Sequence, residues 1–298
     1  MLGIDLPIWK LIIITVLGLV AGVLGGMLGV GGSVIMIPGL AFVFSREPGA
    51  GQHLFQASAM IVNVVVSVPA TLRHKKAGAI RIDALKWILP AALVCIVVGV
   101  WFSNLPIFEG EHNEIRLKRL LALFLVYVMF LNIMKLRKPK PIETPPTPTP
   151  GAPPATTTTH EEADASTVTP VRGGAVGVAM GFVAGLLGIG GGAVSVPLQQ
   201  LLLRLPLRSC IANSSAIICL TAGVGALYKN LTLEQHGYEW QVSLLIAALL
   251  GPSAFIGGRL GANLTHRLPV RQVRIAFIAL MFIAACKMAS IPLPIAGT

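Results

Sequence analysis

The sequence predicts an all-α membrane protein: a polytopic helical bundle of two inverted five-segment repeats, each starting with a short helical hairpin broken at a glycine motif. Three observations predict it. Of the 298 residues, 54% are hydrophobic and only 12% charged, whereas a soluble globular domain carries about 25% charged residues. Leu11 to Val30, Ile88 to Phe102 and Ala276 to Met288 contain few or no charges, and about 20 apolar residues in a helix cross one bilayer core. The third observation is a repeat. Gly26 to Pro38 reads GMLGVGGSVIMIP, Gly185 to Pro197 reads GLLGIGGGAVSVP, and the two match without a gap at an offset of 159. Strand-like alternation is absent, so a helical bundle is favoured over a β-barrel.

The first five segments fall at roughly 9–30, 33–44, 54–72, 87–104 and 120–134. The N-terminus lacks a basic region and a small-residue cleavage site, so the first run reads as a retained helix rather than a signal peptide. Next comes a stretch dominated by proline and threonine, which has little to bury and reads as an extended linker. The second five segments run roughly 173–189, 193–203, 210–228, 240–258 and 275–290. The organisation is therefore a first membrane repeat over 1–138, a Pro/Thr-rich cytoplasmic linker over 139–171 and a second repeat over 172–298. The repeat extends beyond the glycines: Ala57-Ser58-Ala59 matches Ser214-Ser215-Ala216, Pro90 and Gly99 match Pro252 and Gly261, and Arg116 and Arg119 match Arg271 and Arg274. The four tryptophans stand at segment ends, where an indole straddles the headgroup boundary.

The second segment of each half has 11 or 12 residues, about 18 Å of helix against a core of about 30 Å. Segments one and two form either one broken span, with parallel halves, or a hairpin, with inverted halves. Loop charge separates these, because Lys and Arg favour the cytoplasmic side. In the hairpin arrangement 16 of the 23 basic residues are cytoplasmic, from Arg73 to Lys86, Lys135 to Arg172, Arg204 with Arg208, and Arg259 to Arg274; the broken-span arrangement splits them about 13 to 10. The hairpin is favoured, with both termini outside and a multi-pass protein of the inner cell membrane. The net charge of +11 is then orienting loop charge, and nucleic acid is not an expected partner.

Several chemistries are excluded. None of the twelve carboxylates lies inside an apolar segment, so no acidic relay is present. The six histidines fall in loops or at segment ends, which argues against an intramembrane hydrolase. No HExxH or Cys/His cluster indicates a metal, and the four cysteines read as lipid-embedded or core thiols. The GxGG runs lack the Lys-Ser/Thr of a phosphate loop. No cofactor is expected, and the chain does not read as an enzyme.

The glycines divide into two groups. Gly18, Gly22, Gly26 and Gly177, Gly181, Gly185 recur every four residues, a spacing that lets helices approach closely. Gly29, Gly31, Gly32, Gly188, Gly190, Gly191 and Gly192 are denser and break the helix at membrane depth, where irregular backbone must line protein or a watery cavity. The helix that follows each break starts near Ser33 or Ala193 and points its free N–H groups into the bundle, an arrangement suited to an anion. Inverted halves bring the two N-termini together. Ser33, Ser58, Asn63, Gln199, Gln200, Asn213, Ser214 and Ser215 are the neutral side chains available to complete such a site, with Ser58 and Ser215 favoured by their recurrence. Arg259 reads as a snorkelling residue.

The duplicated G-x-G-G-[GS]-x4-P, the A-S or S-S-A that follows, and the basic loop RHKKAG (Arg73 to Gly78) resemble the sulfite exporter TauE/SafE family. The resemblance spans both halves and excludes the linker. It implies a permease for small sulfur-containing oxyanions or organosulfonates, such as sulfite, thiosulfate or sulfoacetate, with Gly29, Gly31, Gly32, Gly188, Gly190, Gly191, Ser58, Ser214 and Ser215 bordering the pathway. Ala57, at the position matched by Ser214, departs from the pattern, as does the long linker. The expected partners are a small anionic substrate and the lipid bilayer, with a homodimer left open. An anion channel or uniporter using the same site, and a non-transporting membrane subunit packed on glycine, are the alternatives.

Overall fold

Apolar sequence in 20-residue runs has to satisfy its backbone internally, and helices do so. The computed structural model describes residues 7–44, 50–108, 111–137 and 168–264, with Ile275, Ile278, Ala279, Phe282, Ala285 and Cys286 beyond them. Among these are nine α-helices: α1 (Ile8–Leu28), α2 (Ser33–Val43), α3 (Gln52–Lys76), α4 (Ile82–Ser103), α5 (Glu111–Arg137), α6 (Pro170–Leu187), α7 (Gly192–Leu202), α8 (Leu207–Leu231) and α9 (Trp240–Leu264). Six of them, α1, α3, α4, α6, α8 and α9, are long and apolar enough to cross a membrane. Most of the linker, the tenth segment as a continuous helix, and Arg267, Arg271 and Arg274 lie outside the described residues. Leu19, Val94, Phe130, Leu227 and Ile256 are exposed on helix flanks, as a lipid-facing surface requires. Trp9, Trp87, Trp101 and Trp240 are also exposed, each at or near a helix end.

The two short helices fold back. A Cβ added at Gly39 on α2 would press on Leu17 of α1, and one at Gly25 of α1 would stand 2.8 Å from the Gly32 nitrogen. In the second half a Cβ at Gly191 would stand 2.7 Å from the Met180 carbonyl oxygen of α6. Each pair is a helical hairpin. Pro38 and Pro197 lie at matching places inside the short arms.

The long helices pair across the halves. A Cβ on Gly18, Gly22 or Gly26 would collide with Leu250, Ala254 or Gly258, so α1 and α9 run parallel in steps of one turn. Gly177, Gly181 and Gly185 meet Ile88, Ala92 and Ile96 in the same way, so α6 runs parallel to α4. The glycine rows let backbones touch where lipid supplies no hydrophobic drive for association. The central helices α3 and α8 run antiparallel: Lys229 meets His53, and Gly223 meets Val64. Both are buried over most of their length.

Candidate functional site

Each hairpin turns on glycine because its turn needs left-handed backbone. Gly29 (φ +63) ends α1 and Gly188 (φ +72) ends α6, with Gly31 (φ +84) and Gly190 (φ +74) two residues later. A side chain at such φ values is disfavoured by clash with the following carbonyl. The halves differ at the next position, where Gly32 is helical at φ −77 and Gly191 is left-handed at φ +73. The arms start at Ser33 and Gly192.

The two turns abut at the centre of the bundle. A Cβ on Gly192 would stand 2.8 Å from the Val30 carbonyl carbon, and one on Gly31 would stand 3.5 Å from the Ile189 oxygen. Asn63 of α3 lies between them. Its Oδ1 accepts from the Ser33 N–H at 3.0 Å, and its Nδ2 donates to Ser33 Oγ at 2.7 Å. A Cβ on Gly31 or Gly190 would stand 3.2 Å from Asn63 Oδ1 or 2.6 Å from Asn63 Nδ2. The first N–H of α2 is thus satisfied by an amide here rather than left open. Ser214 of α8 also reaches the junction and donates to the Gly29 carbonyl at 2.7 Å. Asn63, Ser33 and Ser214 are fully buried. The arrangement offers neutral donors and backbone amides at the core of the bundle.

The other expected side chains divide. Ser58 donates to Leu54 O at 2.9 Å and lies 3.4 Å from Ser243, while Ser215 donates to Ile211 O at 2.9 Å. Their recurrence in the two halves reflects a shared i−4 bond within α3 and α8. Asn213 accepts from the Arg81 N–H at 2.8 Å and donates to Gln199 Oε1 at 3.2 Å, and Gln199 donates to Ser195 Oγ at 2.7 Å. That chain ties the starts of α4, α8 and the α7 arm.

A second polar cluster was not legible in the sequence. Lys229, near the end of α8, is fully buried and donates to His53 Nδ1 at 2.6 Å, Ser103 Oγ at 2.8 Å and Asn104 Oδ1 at 2.8 Å. His53 is fully buried in the first turn of α3, its Nε2 lying 3.5 Å from the Phe108 carbonyl. Accepting at Nδ1 leaves Nε2 as the donor, the neutral tautomer. His236, in the short 3-10 turn Leu233–His236 before α9, stacks on His53 with centroids 3.8 Å apart, and its Nε2 lies 3.1 Å from Asn104 Oδ1. Burial, then the Lys229 charge, lowers the His236 pKa from 6.5 to about 4. A lysine at a helix end reads as loop charge in a sequence, and only the fold shows it turned inward. The spacing of His53 and Lys229, 176 residues, carries no local signal.

A family model described as Sulfite exporter TauE/SafE matches residues 14–288. The chain is 30% identical over 285 residues, 91% of its length, to the probable membrane transporter protein MamO of Magnetospirillum gryphiswaldense, and covers 44% of that protein. The MamO of Paramagnetospirillum magneticum is 29% identical over 293 residues, covering 92% of this chain and again 44% of that protein. The chain therefore spans under half the length of these two relatives. The probable membrane transporter protein YunE of Bacillus subtilis is 24% identical over 289 residues, 93% of this chain and 96% of that protein. No solved structure matches at a significant level.

Proposed function

This multi-pass membrane protein belongs to the sulfite exporter TauE/SafE family, and on that premise we propose that it is a secondary transporter of small sulfur-containing oxyanions or organosulfonates. The observation that carries the reading is the junction of the two glycine turns around Asn63 in the middle of the bundle. Broken helices at membrane depth, with N-termini converging on buried neutral donors, suit an anion that must be held without being trapped by a full counter-charge. The relatives' names support transport as a class. The antiparallel α3/α8 pair, with the first helix of each half parallel to the fourth of the other, supports halves inverted across the membrane. Alternating access would then rock the two hairpins about the Asn63 junction. The inner cell membrane is the proposed location, from the basic-loop asymmetry.

The test is uptake of [35S]thiosulfate and [14C]sulfoacetate by proteoliposomes of the full chain, with counterflow. Saturable uptake with counterflow, reduced at least tenfold in Asn63→Leu but retained in Asn63→Gln, is the expected result. Flux indistinguishable from empty liposomes, or flux unchanged in Asn63→Leu, would overturn it.

A further inference from the structure

Taking the glycine junction as the anion site of the transporter, a premise that rests on the transport reading, we propose that Gln56 sets its specificity. The Gln56 carboxamide oxygen accepts a hydrogen bond from the substrate, so the site prefers a small oxyanion that carries a donor of its own, a hydroxyl or an ammonium, to one that carries none.

The second hairpin turn lies against Gln56. A Cβ on Gly188 would stand 2.6 Å from Gln56 Cγ and 3.1 Å from its Cα. Gln56 Nε2 donates to the Leu186 carbonyl, near the end of α6, at 3.3 Å. A carbonyl only accepts, so that bond fixes which branch of the amide is nitrogen and which is oxygen. Gln56 is fully buried, and among the described residues its Oε1 has no donor. Buried polar atoms are nearly always paired, and one that is not needs an explanation.

Packing does not supply the explanation. The first turn meets α8 in the same manner, with Gly29 against Ile211 and its added Cβ 3.0 Å from Ile211 Cα. An isoleucine therefore suffices at such a contact. Capping does not supply it either. The Gly29 carbonyl of the first turn is served by the Ser214 hydroxyl at 2.7 Å, which caps without bringing a second carbonyl into the bundle. Glutamine adds what neither task requires, a buried acceptor beside the second turn.

That acceptor belongs to the same helix face as the junction. Gln56 and Asn63 are seven residues apart on α3, so they share a face and lie about 10 Å apart along the axis. The second turn spans this interval, with Gly188 at Gln56 and Gly190 at Asn63. Gln52, Ser67 and His74 continue the face and are buried too, so a polar row runs along α3 from its first turn to its last. Polar side chains in a spanning helix face the bundle interior or a watery path. Backbone N–H groups at a helix start hold an anion's oxygens, but they leave a donor on the substrate unpaired, and burying an unpaired donor is costly. An amide oxygen pairs it without setting a negative charge beside the anion, as a carboxylate would.

The experiment compares two sulfonates that differ by one hydroxyl, 2-hydroxyethanesulfonate and ethanesulfonate. Their affinities for the purified full chain are measured by isothermal titration at constant ionic strength, in wild type and in Gln56→Met. Wild type is expected to bind the hydroxysulfonate at least ~10-fold more tightly. Gln56→Met keeps the length and burial of the side chain but has no carboxamide oxygen, and its ratio should fall to within ~3-fold while its melting temperature holds. A merely structural Gln56 gives the reverse, an unchanged ratio with a lowered melting temperature. Equal binding of the two sulfonates by wild type would overturn the proposal with no variant needed, as would binding of neither, or a preference that survives in Gln56→Met. The transport reading fails separately: a Gln56-dependent preference in binding, with no flux into proteoliposomes, removes the carrier and leaves the specificity residue, whereas equal binding and uptake of both sulfonates does the opposite.

Discussion

Replacing Gly190 by alanine tests the hairpin junction most directly. Gly190 has φ +74, and its added Cβ would stand 2.6 Å from Asn63 Nδ2 and 3.4 Å from Ile218 Cγ2. The left-handed backbone alone costs an alanine about 1–2 kcal/mol. Asn63 would also have to withdraw, breaking its two buried bonds to Ser33, at about 1 kcal/mol each. The sum is about 3–4 kcal/mol. Gly174 of the same half provides the control: it is helical, and its Cβ would meet nothing within 4 Å, so alanine there gains up to ~1 kcal/mol. Thermal unfolding of the purified protein reads both. At about 2–4 °C per kcal/mol for a chain of this size, Gly190→Ala falls by roughly 10 °C while Gly174→Ala holds or rises. The double variant Gly190→Ala/Asn63→Ala isolates the cause, because an alanine at 63 has no amide to displace. Its loss should be at least ~1 kcal/mol smaller than the sum of the single losses. Additive losses, or a Gly190→Ala protein as stable as Gly174→Ala, would refute the packing of the junction around Asn63.

Three other outcomes follow from the same contacts. Gly22→Val and Gly181→Val place side chains against the backbones of Ala254 and Ala92 and should each abolish a monodisperse peak in size-exclusion chromatography, whereas Gly251→Ala, with open space at its Cβ, should not. Ser214→Ala strands the buried Gly29 carbonyl and should lose about 1–3 kcal/mol by thermal unfolding, more than Ser215→Ala, whose hydroxyl serves only a carbonyl of its own helix in α8; equal losses would remove Ser214 from the junction. Since the folded His236 pKa lies near 4, below its usual 6.5, the unfolded chain binds more protons between those values. Stability is therefore complete above about pH 6.5 and declines as the pH falls towards about 4, and His236→Asn should flatten that decline in a pH series of melting temperatures.

Most of the frame was legible because duplication and helix periodicity are local signals. The glycine motif predicted the breaks at Gly29 and Gly188, and the short second segments predicted arms that fold back, as α2 and α7 do. The four-residue glycine rows predicted close approach, although a sequence cannot say which helix lies opposite; the partners are α9 and α4, from the other half in each case. Side-chain roles were less legible. Ser58 and Ser215 recur, yet both bond back into their own helices, because a hydroxyl in an apolar helix finds the i−4 carbonyl first. Asn63 has no twin, and it holds the junction. His53 and Lys229 sit at helix ends, where hydropathy reads them as loop residues, and both are fully buried.

That contrast bears on how the fold can work. On the register that aligns Ala57-Ser58-Ala59 with Ser214-Ser215-Ala216, Asn63 falls opposite Leu220 and Lys229 opposite Leu72, and both leucines are exposed on the helix flanks. Backbone, glycines and prolines are duplicated, while the strongest buried polar groups are not. A frame of two equal halves would by itself hold both ends of the central helices by the same contacts. Here Asn63 bonds the first arm at Ser33, Lys229 clasps the end of α8 to the start of α3, and the Asn213–Arg81 bond ties the start of α8 to the start of α4. The two ends of α8 are therefore held by different chemistry: the buried Lys229 ammonium at one, the Asn213 and Gln199 amides at the other. The matched positions, Leu72 and Leu220, carry neither group, so the difference between the two ends of the central helices follows from the unrepeated residues rather than from the repeat.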